Sequence, residues 1–384
     1  MANVLGCSVG SGSVRKPGKR TFSWVDEEIM KVRNPFAGLL ALFFVVAWCL
    51  SGSAAFAKPL VPLRTAWLGE HETFLVWYAR EKGWDKAEGL DLELLPFESG
   101  KNVIDEMQSS NWAIAGVGAM PALTASLSSR LYIVGIGNDE SASNAIFTRA
   151  DSPILKMKGF NPNCPEVYGN PGSVRGKTFI VPKGTSAHYM LSRWLHVLGL
   201  NERDVNIVDM QPSEAMKAFA AIALWAPQTF EAEKLGLKTV AHSSDCNARQ
   251  PILLVANMDY ANKHKGDIVA FLRVYLRSVD MMKKTPAEDL ADDYMRFYNA
   301  WTGKTMTREE AIRDIKDHPV YALDQQLDMF KQSYGTSELR EWLHDIVSFQ
   351  NETGELDRRD LARLERLHYV TDIYLKAVKA PAKK

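Results

Sequence analysis

Gly176-Lys177-Thr178-Phe179-Ile180-Val181-Pro182-Lys183-Gly184-Thr185-Ser186-Ala187-His188-Tyr189-Met190-Leu191 sets the reading of the whole chain. Residues 178–181 are a short β-rich apolar run, and Pro182 and Gly184 break it. Thr185 or Ser186 is a favoured N-cap for the periodic segment that continues to Leu198. The pattern is strand, tight loop, helix, with Gly199 placed to end the helix. Such a loop aims free backbone N–H groups and the positive end of a helix dipole out of the carboxyl edge of a sheet, which suits an anion. His188 falls at the third helical position, near those donors. Taken alone, the stretch reads equally as a capped helix start with His188 at the surface.

The composition is that of an ordinary globular protein: 384 residues, 46% hydrophobic and 24% charged, long enough for two domains. No internal repeat stands out. The formal net charge of zero gives no basic footprint for nucleic acid, and no nucleic-acid-binding signature is present, so no polynucleotide partner is expected.

The amino-terminal stretch sets the expected compartment. Met30-Lys31-Val32-Arg33-Asn34 is basic, residues 36–50 carry no charge, and Ala55-Phe56-Ala57 supplies small residues before Lys58. That order is a secretory signal peptide with cleavage before Lys58. The apolar run is short for a membrane span and is followed by Ser51-Gly52-Ser53 instead of a positive flank. Asp26, Glu27 and Glu28 do not belong in a signal's basic region, so Met30 is the expected start and residues 1–57 are set aside from the fold. Removing them takes six basic and three acidic side chains from 46 of each, leaving a net charge of −3. Of the four cysteines only Cys164 and Cys246 then remain, either bridged or free. The histidines show no metal spacing, and neither a metal nor a cofactor is expected.

From residue 63 to 149 strands and helices alternate as in a doubly wound sheet. Strands are expected at 63–68, 90–95, 112–117, 131–137 and 145–148, and helices at 73–82, from about Pro96 to 109, and after Pro121. Residues 151–175 are rich in proline and glycine and mark a boundary. A second βα series follows, with strands at 177–181, 205–208 and 238–241, helices at 186–198 and from Pro212, and a buried-type strand at 252–256. Beyond it the chain reads as helical at 266–284, 287–300, 307–316, 322–334, 336–349 and 357–378, the last open to a break. This tail is expected to return to the first lobe as a cap.

These features together resemble a known family. The 176–188 run, Ala115-Gly116-Val117-Gly118 leading to Pro121, and Trp225-Ala226-Pro227, behind a signal peptide and across two βα series, look like the substrate-binding proteins of nitrate, sulfonate and taurine ABC importers. The resemblance covers roughly 60–380. It implies an α/β, two-lobed periplasmic-binding-protein fold of type II with a helical C-terminal tail, made of residues 58–148 plus 252–384 and of 149–251, with crossing strands near 144–149 and 251–256. It implies a periplasmic monomer that closes on a small anionic or zwitterionic solute and serves an inner-membrane permease. The site it implies is Trp67, Gly69 and His71, then Gly118, Ala119 and Met120, then Gly184, Thr185, Ser186 and His188, and Trp225. The chain departs from the family between Ser213 and Pro227, where no Gly, Asn, Asp or Pro supplies the usual turn before the Trp-x-Pro strand. Either a helix continues through Trp225 or residues have been lost.

Other chemistries fit poorly. Gly172 to Thr178 has three residues between its glycines where a phosphate loop needs four, and Gly116 to Pro121 lacks the third glycine of a dinucleotide fingerprint. Ser186 and His188 could serve an exported hydrolase, yet no nucleophile elbow surrounds the serine. A ligand-sensing subunit of a signalling system would share every pocket feature. Trp67 reads as core or ligand wall. Glu70 and Glu72 read as solvated loop carboxylates, or, if turned inward, as groups suited to a zwitterion. For an anionic solute, His188 is expected to be biased neutral in the empty protein, so that binding tightens as pH falls.

Overall fold

The structure, a computed structural model, describes residues 59–379 apart from 129–130, 216–220, 334 and 367. The expected signal peptide, the cut before Lys58 and the start at Met30 lie outside the described residues.

Val61–Trp67 (β1) buries Leu63, Thr65 and Trp67 on one face, with Pro62 in solvent. His71–Glu81 (α1) lies over the sheet and buries Phe74, Leu75, Val76 and Ala79. Leu90–Pro96 (β2) pairs in parallel with β1 along its whole length. Gly100–Asp105 (α2) starts at Ser99, whose side chain accepts the Asn102 N–H. Ile114–Gly118 (β3), Ala119–Ser128 (α3) and Leu131–Asp139 (β4) complete the first series. The second comprises Ala145–Thr148 (β5), Thr178–Val181 (β6), Ser186–Val197 (α4), Asn206–Asp209 (β7), Ala221–Leu224 (β8) and Lys238–His242 (β9). Gly199, at φ +70°, ends α4 in the left-handed conformation that glycine adopts without strain.

Two five-stranded sheets result, ordered β2-β1-β3-β10-β4 and β7-β6-β8-β5-β9, where β10 is Pro251–Asn257. β10 is apolar over Ile252–Ala256 because it is buried on both faces, antiparallel between β3 and β4. β5 is its counterpart, antiparallel between β8 and β9. The chain therefore crosses from the first sheet to the second between Asp139 and Ala145 and returns at Pro251. Each sheet with its helices forms a lobe with its own core. Phe74, Ile133, Leu253 and Phe271 belong to the first, and Phe179, Trp194, Leu195 and Val240 to the second. Cys164 and Cys246 are free and buried in the second core.

The helical tail returns to the first lobe as Lys265–Lys284 (α5), Ala287–Thr302 (α6), Arg308–Asp317 (α7), Leu323–Phe330 (α8), Glu338–Glu352 (α9), Arg358–Arg366 (α10) and Ile373–Lys379 (α11). The segment expected as helical at 357–378, and open to a break, is divided between α10 and α11. In α5 the inward stripe is Ile268, Phe271, Leu272, Tyr275, Leu276, Val279 and Met282, at helical spacing. The tail also covers the free edge of β4. Gln326 bonds both backbone groups of Ile136, at 2.9 and 3.0 Å, and residues 369–371 bond both groups of Ile133. An open edge with unpaired backbone is thereby closed.

Candidate functional site

The carboxyl ends of the parallel strands in both sheets meet across a buried space of about 20 Å³. That volume holds about one water molecule. The first lobe contributes Leu68 and Glu70 after β1, Gly100 at the start of α2, Gly118 and Pro121 at the β3–α3 junction, Glu140 after β4, and Ile252 from β10. The second contributes Thr185 and Ser186 from the β6–α4 loop and Trp225 after β8. Trp225 is thus the residue that follows a short strand. The helix expected from Pro212 is described as Pro212–Ala215 and the strand before Trp225 as Ala221–Leu224, so no helix runs through Trp225; residues 216–220 lie outside the described residues.

Two carboxyl groups face this space, and the opposite lobe supplies a partner group to each. The Trp225 indole N–H donates to Glu70, and the Ser186 hydroxyl lies near enough to Glu140 to favour its ionised form, as does Asn144. Burial holds Glu70 well above the usual carboxylate range, reinforced by the charges of Glu72 and Glu140. Burial likewise pushes Glu140 up to about 7, opposed by the charge of His318. Glu72, at the start of α1, is fully buried and pushed up to about 8 by desolvation. The expectation that Glu70 and Glu72 are solvated loop carboxylates does not hold.

Behind them sits His318, whose ring stacks on His71 at 4.9 Å. Its Nδ1 lies 2.7 Å from the Asp314 carbonyl oxygen and 3.2 Å from Asp314 Oδ1, and its Nε2 lies 2.8 Å from Ser143 Oγ. Burial works against the imidazolium, but the Asp314 carboxylate outweighs it and holds His318 at about 9. His71 moves the other way: burial and then the charge of His318 keep it neutral.

Of the residues expected to form the site, Gly118, Thr185, Ser186 and Trp225 come together at the cavity. Trp67 does not reach it. Its indole N–H donates to Thr65 Oγ1 at 2.7 Å and its ring stacks on Phe271 and Tyr275. Gly69 faces α6, where a Cβ would lie 2.9 Å from Thr302 Cγ2. His71, the first residue of α1, is buried, and Ala119 and Met120 are packed in the first core. Gly184 turns the chain at φ +73°, and its N–H lies 3.3 Å from His188 Nδ1. Thr185 stands at the N-cap position but makes no side-chain cap; its hydroxyl donates to the Pro182 carbonyl at 2.6 Å.

His188 belongs to a contact between lobes. Its Nε2 pairs with Glu202 at 3.0 Å, its Nδ1 lies 3.5 Å from Glu355 in the C-terminal tail, and its ring stands edge-on to Phe349. Burial opposes protonation, yet the two carboxylates win and lift it to about 9, so the expected neutral bias is reversed. A second bridge joins the helix Gln228–Lys234 to α7, with Arg313 bidentate on Glu233 and Lys234 on Glu310. These pairs are about half exposed and individually worth little. The His188 contact is buried and should matter more. Its histidine titrates at about 9 in the folded protein against 6.5 unfolded, so its stabilisation is complete below pH 6.5 and lost as pH rises through about 9. His188→Gln is expected to lower stability by roughly 1–2 kcal/mol at low pH. The gap from the parent should close above about pH 9; melting curves across pH test this, and a constant gap would refute it.

Leu68, Gly100, Pro121, Glu140 and Ile252 were not anticipated from sequence. Glu140 carried a usable signal, because an acid directly after an apolar strand sits where ligands gather in such sheets. Among the described residues, no group of three His, Cys, Asp or Glu side chains is arranged to hold a metal ion, and no helix is long and apolar enough to cross a membrane.

The family model described as NMT1/THI5 like matches residues 71–289, more than half of the chain. The chain belongs to the NMT1/THI5-like family. Among relatives of this family's fold and sequence is a putative ABC transporter periplasmic binding protein of Brachyspira hyodysenteriae, 26% identical over 73% of this chain and 82% of that one. Two solved structures show the fold. The periplasmic aliphatic sulphonate binding protein of Escherichia coli superposes with a TM-score of 0.60 at 16% identity, over 80% of this chain and 97% of its own. The periplasmic nitrate-binding protein of Synechocystis does so with a TM-score of 0.65 at 11% identity, over 83% and 88%. The expected two-sheet α/β fold of a periplasmic binding protein, with its helical C-terminal region, is the fold observed.

Proposed function

We propose that this chain is exported and acts as the solute-binding component of an ABC importer, a periplasmic monomer that traps a small solute between two lobes and hands it to an inner-membrane permease. The observation that carries the reading is the narrow space framed by strand ends of both sheets, with Trp225 of one lobe bonded to Glu70 of the other and Ser186 set beside Glu140. The family relative named as an ABC transporter periplasmic binding protein supports the importer role. The lobes are residues 59–139 with 251–379, and 145–250. Binding, not catalysis, is the function. Ser186 is engaged with Glu140 while His188 is engaged with Glu202 and Glu355, so the serine–histidine pair of a hydrolase is not formed.

A thermal-shift screen of sulfonates, nitrate, amines and amino acids tests this. A solute present at about 100 times its Kd raises stability by about 2.7 kcal/mol. Scattering with that solute should give a smaller radius of gyration than without it. An unchanged radius at saturation would count against closure of two lobes. Export is checked by mass spectrometry of the secreted chain, which should begin at Lys58; a membrane-associated chain retaining residues 36–50 would refute the cut.

A further inference from the structure

We propose that the solute presents a cationic or multiply N–H-bearing amino group to Glu70 and Glu140, and that any anionic part it carries is secondary to this contact. The inference rests on the solute-binding reading above and names the class of solute.

The walls of the cavity argue it. Glu70 and Glu140 are 6% and 3% exposed, and among the described residues that line the space there is no lysine, arginine or histidine. Charged and titratable groups packed behind the two are Glu72, Asp139 and Asp314, balanced by His318 and by Arg249, which lies 3.0 Å from Asp139. His71 is neutral. The space therefore offers a simple anion no cationic side chain, while two carboxyl groups stand ready to accept from a donor. The hydroxyls that suited an anion are turned elsewhere: Thr185 donates to Pro182, and Ser186 lies beside the Glu140 carboxyl, where it favours the ionised form. What faces Glu70 and Glu140 in the closed protein is an indole N–H and a hydroxyl. Both are donors, and because a carboxyl accepts from more than one donor, a solute amino group can bond the same acceptors beside them. Two carboxyls from the loops after β1 and β4 can share one amino group, which has the donors for both. The aromatic face of Trp225 beside them also suits a cation.

A competing arrangement has both acids protonated and donating to an anion. The two differ in the sign of their proton linkage. An amino cation binds the ionised carboxyls, releases protons and tightens as pH rises, whereas an anion takes up protons and tightens as pH falls.

The test uses matched probes: taurine against ethanesulfonate, benzylamine against benzenesulfonate, and ethylamine against nitrate. They are screened by melting temperature and then titrated by calorimetry at about pH 6 and about pH 8. At least one amine is expected to bind about tenfold or more tighter than its partner, to tighten from about pH 6 to about pH 8, and to lose about tenfold in affinity in Glu70→Gln and in Glu140→Gln. Melting curves of both variants show whether they are folded. If either fails to fold, the pH sign and the matched pairs still decide. The proposal is overturned if a sulfonate or nitrate binds as tightly as its amino partner, if affinity rises as pH falls, or if folded variants bind the amine like the parent. Those results would leave the importer reading standing. No binding by any probe at about 10 mM would overturn this proposal and count against that reading as well.

Discussion

Replacing Trp67 by alanine is expected to lower the unfolding free energy by about 3–5 kcal/mol while leaving solute affinity within about threefold of the parent. The ring is fully buried, stacks on Phe271 at 6.0 Å and on Tyr275 at 6.1 Å, and ties the end of β1 to the face of α5. It also lies against the backbone of β3, where a Cβ on Gly116 would come within 2.7 Å of Trp67 Cζ3 and 2.9 Å of Glu72 Cγ. Truncation therefore leaves a void walled by backbone and by rings from another helix, which cannot easily collapse. Gly116 supplies a cross-check. Gly116→Ala alone should destabilise by overpacking, about 1–3 kcal/mol, and should cost less when Trp67 is already alanine, because the new methyl then enters the void. Urea unfolding of the two single variants and the double variant measures the coupling. A loss under about 1 kcal/mol for Trp67→Ala, or an affinity loss that exceeds the stability loss, would return Trp67 to the ligand wall.

Trp67 illustrates what the sequence could and could not say. That it ends a strand was legible from the apolar run before Gly69, but which way its ring turns depends on Phe271 and Tyr275, some two hundred residues later in the chain. The elements themselves were legible where one short-range rule governed them. β10 read as buried because it is apolar throughout, α4 because a breaker precedes it and Gly199 follows, and the tail helices because of their stripes. Side-chain partners across the lobes were not. His188 looked like an anion ligand because its position in α4 is local information, whereas Glu355, which helps hold it protonated, lies near the far end of the chain. Glu70 and Glu72 looked solvated because loop carboxylates usually are. Their burial follows from α5, α6 and the second lobe closing over the start of α1, and no stretch of sequence near residue 70 encodes that.

Trp225→Ala is the substitution expected to weaken solute binding most, by about 2–4 kcal/mol. Trp225 is 3% exposed, follows β8 in the second lobe, and reaches across the cleft so that its indole N–H donates to Glu70 in the first. A buried aromatic at the centre of an interface that closes on a ligand commonly carries a large share of the binding energy, since it excludes water and supplies a fixed donor. Alanine removes both the wall and the donor. It leaves Glu70 buried without the bond that lowers its pKa, so the carboxyl should stay protonated to still higher pH. Trp225→Phe separates the two contributions: the ring remains, the N–H is lost, and the expected cost falls to about 1–2 kcal/mol. If Glu70 is the acceptor through which Trp225 acts, this smaller loss should shrink further in Glu70→Gln, where the carboxyl acceptor is already gone. Calorimetry with the screened solute on both Trp225 variants, alongside their melting curves, decides the point. An affinity for Trp225→Ala within about twofold of the parent would mean that the space between Glu70 and Trp225 is not where the solute sits.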